Sequence, residues 1–119
     1  MTLGRAGRLA LSTFRRMQVQ RWNSERDGSV NEGELRRRLE RLGYSVGRYV
    51  YPPGTCFGPH THAVEKIDAV VSGRFRISMG AESEVLDAGD YVLVPQGAEH
   101  SAEVVGDIPV VSLDAVKIR

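Results

Sequence analysis

GTCFGPHTHAVEKIDAVVSG, residues 54–73, carries two of the three histidines in this chain of 119 residues; the third, His100, ends a second patterned stretch, GDYVLVPQGAEH, residues 89–100. In an extended strand, side chains two apart share a face and lie about 6.6 Å apart along the strand. On that reading His60 and His62 aim at one point, and an imidazole from another strand completes a metal-binding face. The rest of the chain reads as scaffold around a metal-centred pocket.

Strand signals surround both stretches. After Gly43 the apolar period is two: Tyr44, Val46, Val50 and Tyr51 precede a stop at Pro52-Pro53-Gly54, and IDAVVSG, RFRISMG, ESEVLDAGD, YVLVPQG, HSAEVVGD and PVVSLDAVKI follow. Short β-branched runs punctuated by Gly, Asp and Pro predict an antiparallel sandwich or barrel. Before Gly43 the period is helical. Leu35, Leu39 and Leu42 fall at i, i+4 and i+7, Ser29 and Glu32 have capping-box spacing, and Gly43 suits a left-handed helix end, which together predict one amphipathic helix over roughly residues 31–42. Arg36, Arg37, Arg38 and Arg41 interleave with Glu34 and Glu40, a solvated face rather than a nucleic-acid patch.

Residues 1–24 hold Arg5, Arg8, Arg15, Arg16 and Arg21 and no acid. The composition of residues 1–18 fits a basic tail, an extension upstream of a start at Met17, or an organelle-targeting peptide. Residues 19–43 are expected as linker and helix, and residues 44–119 as the barrel. The formal net charge of +1 gives no field that would recruit nucleic acid or an anionic membrane. A single cysteine, Cys56, excludes an intramolecular disulfide and makes a reducing cytoplasm the expected location. Four residues before His60 with no base nearby, Cys56 is expected to be a buried, inert thiol. No apolar run nears the ~20 residues of a membrane span.

The two motifs, Gly54-x5-His60-x-His62 closed by Gly73 and Gly89-x5-Pro95-x-Gly97-x2-His100, resemble the paired motifs of the cupin superfamily. The resemblance implies an all-β double-stranded β-helix, or jelly-roll barrel, of six to eight strands with one short N-terminal helix. It implies that His60, His62 and His100 bind a divalent metal, with Fe, Zn, Ni, Mn and Cu all open to imidazole ligation. It also implies a homodimer and a small-molecule ligand. Gly58-Pro59 and Pro95-x-Gly97 are read as turns that set the register of the histidine-bearing strands.

One position departs from the family pattern. A glutamate ligand is expected four residues after the second histidine, where this chain has Lys66, with Glu65 one residue earlier. Strand alternation puts Lys66 and Asp68 on the histidine face and Glu65 on the other, so Glu65 ligates only if a bulge re-aims it. Three site readings follow: three histidines with Lys66 paired to Asp68 or to an anionic substrate group; three histidines plus a bulged Glu65; or a metal-free pocket. Lys66 is the candidate catalytic residue, and Ser101 a candidate partner of His100. Tyr49 and Phe57 are candidates for the pocket entrance. In functional terms the alternatives are a metal-dependent enzyme of oxygenase, isomerase or lyase type and a non-catalytic binding or storage module. One helix of about three turns is too little for a DNA-reading helix-turn-helix.

Overall fold

The computed structural model describes residues 17–118, so the expectations for residues 1–16 lie outside the described residues. The chain forms β1 (Val19–Gln20), α1 (Ser24–Asp27), α2 (Glu32–Arg41), β2 (Tyr44–Tyr51), β3 (Cys56–His60), β4 (Lys66–Ser72), β5 (Phe75–Met79), β6 (Glu82–Leu86), β7 (Tyr91–Val94), β8 (His100–Val104) and β9 (Val110–Lys117). Two antiparallel sheets pack face to face, one in the order β1-β7-β4-β9-β2 and the other β3-β8-β5-β6. This is the antiparallel all-β sandwich that the alternation predicts, in the double-sheet jelly-roll form that the cupin resemblance implies.

The five-stranded sheet is covered on both faces. Outward from it, Ile67 and Ala69 of β4 and Leu113 and Ala115 of β9 pack under Leu35 and Leu39 of α2. Leu35 and Leu39 are fully buried, each worth about 2 kcal/mol of transfer free energy. Inward, Val70, Val92, Val94, Ile77, Leu86 and Val104 form the second core between the sheets. A strand with two covered faces loses its clean polar alternation, which is why IDAVV reads as an almost continuous apolar run.

Several expectations are corrected. Asn31, not Ser29, caps α2: its side chain accepts from the Glu34 backbone N–H at 2.9 Å. Asn31 sits one residue before the first helical position, where a side-chain oxygen reaches the orphan donors. Leu42 lies past the end of the helix and is half exposed, so the apolar stripe is Leu35 and Leu39 alone. A second, four-residue helix precedes α2, with Asn23 as its cap. Residues 19–20, expected as linker, form the edge strand β1 on β7, so the sheet begins well before residue 44.

A polar clasp fixes that early segment. Buried Asp90 accepts from the Arg21 guanidinium at 2.8 Å, the Trp22 backbone N–H at 2.9 Å and the Asp87 backbone N–H at 2.8 Å. Arg38 of α2 stacks on Trp22, its guanidinium carbon 4.5 Å from the ring centroid. The close approach requires Gly89, where φ is +91° and a Cβ would fall 2.4 Å from Trp22 Cβ. Among the described residues, no helix is long and apolar enough to cross a membrane.

Candidate functional site

The three histidines converge inside the barrel by different routes. His60 ends β3 and pairs directly across the ladder with His100, the first residue of β8. His62 lies beyond β3 in the connection to β4, so the expectation of two histidines on one strand is corrected. What fixes His62 is its backbone: its carbonyl accepts from the Gly97 N–H at 2.9 Å, tying the turn of the second motif to the loop of the first. Gly97 has φ of +78°, which glycine adopts without steric cost. Gly58-Pro59 is not a turn. Both residues belong to β3, an edge strand with a register shift between Phe57 and His60, a setting that tolerates a proline without a ladder donor.

Ring centroids of His60 and His100 are 4.2 Å apart, His60 and His62 4.8 Å, and His62 and His100 5.1 Å. One nitrogen from each lies within 4.8 Å of the other two, so modest side-chain rotations bring all three onto one ion. Two tautomers are set by backbone. His60 Nδ1 is 2.6 Å from the Gly58 carbonyl and His100 Nδ1 is 3.0 Å from the Ala98 carbonyl. Each Nδ1–H donates to that oxygen and leaves Nε2 as the free ligand atom, the usual outer support of metal-binding histidines. Ser101, expected to partner His100, points into an outer groove with Arg76 and Ser78 instead, as alternation along β8 requires.

Burial holds His62 below its ordinary value, with Lys66 and the other two imidazoles adding. Burial does the same for His100, against the pull of the Ala98 carbonyl. Both are therefore neutral imidazoles near pH 7, the form that ligates. The donor set fits a borderline divalent ion.

The structure does not bring Glu65 into this cluster. Glu65 faces outward, where its carboxylate accepts from the Tyr44 hydroxyl and lies 3.8 Å from Lys117 Nζ. Burial, with that carboxylate adding, raises the Tyr44 hydroxyl above its ordinary range, so it stays a donor. Lys66 does face the histidines, but its partner is Asp114 rather than Asp68: Nζ lies 2.7 Å from Asp114 Oδ1. That oxygen is buried without an aligned hydrogen bond, so the contact is an ion pair held by charge rather than by direction.

A cavity of about 570 Å³ joins the parts, bounded by the histidines, Lys66, Asp68, Asp114 and the rings of Tyr51, Phe57 and Phe75. Asp68 and Asp114 stand directly opposite each other on β4 and β9. Burial, with the facing Asp114 adding, pushes the Asp68 carboxyl up to about 6, while Lys66 and His60 pull it down. Burial first, then Asp114 and Asp68, push the Tyr51 hydroxyl up to about 12. Cys56 lines the same cavity and is exposed, correcting the expectation of a buried thiol. Phe57 reaches the cavity as expected, whereas Tyr49 stacks on Tyr51 outside it.

Sequence reading missed Asp114 as part of this wall. The signal was present: in VVSLDAVK, Ser112 and Asp114 are polar at a spacing of two within an otherwise apolar strand, which marks one face as facing something other than core.

The sequence profile of the cupin domain matches residues 47–116. An uncharacterized protein of Streptomyces coelicolor is 34% identical over 76 residues, covering 64% of this chain and 72% of that one. Among solved structures, the Bacillus subtilis oxalate decarboxylase, described by its Mn(II) centres, superposes with a TM-score of 0.57 at 26% identity over 63% of this chain. A chain from the DMSP lyases RdDddP and RnDddQII gives 0.57 at 28% identity over 63% of this chain. The Schizosaccharomyces pombe Cnp3 cupin domain gives 0.58 at 14% identity over 65% of this chain, a likeness of fold alone. This chain spans 22% of the decarboxylase, 38% of the lyase chain and 54% of the Cnp3 chain.

Proposed function

The chain belongs to the cupin family, and on that premise we propose that it holds one divalent metal ion on His60, His62 and His100 and presents a small organic molecule to it. The carrying observation is the convergence of three imidazole nitrogens within 4.8 Å. Iron, zinc, nickel, manganese and copper all suit the donor set. When bound, the ion supplies Lewis acidity or an oxygen-activating centre at positions that protein ligands leave open, as chemistry of oxygenase, isomerase or lyase type requires.

The chain's own residues supply the rest. The backbone carbonyls of Gly58 and Ala98 hold the rings of His60 and His100 in their ligating tautomer. Lys66 keeps donors free for an anionic group of the ligand while Asp114 balances its charge, the role in which it is the candidate catalytic residue. The rings of Tyr51, Phe57 and Phe75 give the cavity an apolar wall. A homodimer would use the edge of β2, which no strand covers among the described residues and where Tyr49 and Val50 are half exposed.

Metal content tests the reading. Wild-type protein stripped with a chelator and reloaded with single metals is expected to retain about one ion per chain, and His62→Ala to retain none while keeping its fold. Wild-type protein that takes up no metal under any loading would overturn it.

A further inference from the structure

The wall facing the histidines has an uneven charge inventory. Among the described residues, Lys66 is the one cation bordering the cavity, and its charge is balanced by Asp114 at 2.7 Å. Asp68, opposite Asp114 in the ladder and bordering the same cavity, enters no ion pair with any described residue. Without the ion, the wall of Lys66, Asp68 and Asp114 therefore holds one carboxylate more than it has cations.

The adjoining wall is aromatic. The rings of Tyr51 and Phe57 meet edge to face with centroids 5.0 Å apart, Tyr51 and Phe75 lie 5.6 Å apart, and Phe57 and Phe75 6.4 Å. Together they give a compact apolar wall with π-electron density beside a lone anion. A carboxylate partly withdrawn from water and without a partner is costly, and aromatic faces attract cations by their quadrupole. A neutral or anionic group placed here would leave Asp68 unpaired. An organic cation satisfies both walls at once.

We infer that the cavity takes a small organic zwitterion, its cationic end between Asp68 and the rings of Tyr51, Phe57 and Phe75 and its carboxylate toward the three histidines. The cationic half stands on the wall alone; the carboxylate half rests on the metal reading above. The upward push on the Asp68 carboxyl agrees, since it reports a carboxylate lacking a cation.

Calorimetric titration separates the two halves. At pH 8, where Asp68 is ionised, metal-free wild-type protein is titrated with choline, with its neutral isostere 3,3-dimethylbutan-1-ol, and with glycine betaine. Choline is expected to bind at least tenfold more tightly than the neutral isostere, and Asp68→Asn to remove that preference. Equal binding of choline and isostere, no binding of choline, or an Asp68→Asn variant that keeps the preference overturns the inference. Manganese-loaded wild type is then expected to bind betaine at least tenfold more tightly than the metal-free protein does, a gain absent in His62→Ala. If metal loads but the gain is missing while choline is still preferred, the zwitterion falls and a simple cation site remains. If metal does not load, the function proposed above falls with the carboxylate half, and the choline preference is unaffected.

Discussion

The interior between the two sheets has two halves built to opposite rules. On the side of β5, β6 and β7, Ile77, Leu86, Val92 and Val94 are at most 1% exposed and close the space completely. On the side of β2, β3 and β9, a cavity of about 570 Å³ replaces the core and is lined in part by ionisable groups. Single strands serve both: β4 contributes Val70 to the filled half and Lys66 and Asp68 to the open one. The contrast teaches where stability resides. A barrel tolerates a lone carboxylate and an unaligned ion pair in one half because close packing in the other, with the helix-covered outer face, holds the strands.

The comparison breaks most visibly through Ile77, fully buried in the filled half. Ile77→Ala is expected to cost 2–5 kcal/mol by denaturant unfolding, about the range for a buried isoleucine truncation. A loss below about 1 kcal/mol would mean that the filled half is not what holds the sheets together.

Asp68→Asn should move stability the other way. The folded carboxyl titrates at about 6 against an ordinary value of 3.8, so the folded state disfavours its charge. Its penalty is absent below about pH 4, grows as pH rises through the window, and is complete above about pH 6. The variant is expected to be more stable than wild type by about 1–3 kcal/mol at pH 7, with the gain vanishing near pH 4. Comparing variant with wild type at each pH cancels the opposing contributions of His62 and His100, whose lowered values cost stability as pH falls. An unchanged or lower melting temperature at pH 7 would refute the account of Asp68 as an uncompensated charge.

The smallest effect belongs to the cavity mouth. Phe57, 37% exposed on an edge strand, is expected to lose less than about 1.5 kcal/mol on change to alanine, well under Ile77, because more than a third of its surface already meets water and its neighbours border a cavity rather than a closed core. A loss equal to that of Ile77→Ala would erase the distinction between the halves.

How far the sequence disclosed this arrangement depended on the range of the interaction. The period-two runs after Gly43 disclosed the strands, and Gly-x5-His-x-His with Pro-x-Gly-x2-His disclosed the three histidines, because both are local patterns. The side of β4 on which Lys66 and Asp68 lie also followed, from alternation. Asp114 as the partner of Lys66 did not, since that pairing depends on the register of β9 on β4, a relation between residues 48 apart in sequence. The carbonyls that orient His60 and His100 stayed hidden because backbone groups carry no residue signature. β1 escaped because two residues show no period, and its pairing is secured by Asp90 from across the fold.

The outward bond of Glu65 to Tyr44 has a consequence for the history of such sites. By pinning residue 65 outside, it commits residue 66 to the interior, the position where the family pattern carries a glutamate ligand. Lysine and glutamate codons differ by a single nucleotide, so the four-ligand version of this centre lies one point mutation away in the genetic code. Asp114 guards that step. Lys66→Glu would set a third carboxylate beside Asp68 and Asp114 and remove the cation that Asp114 balances, while loss of Asp114 would leave Asp68 as the acid beside the lysine ammonium. The two forms of the site are thus neighbours in codon space, and Asp114 is the residue that registers which of them the chain carries.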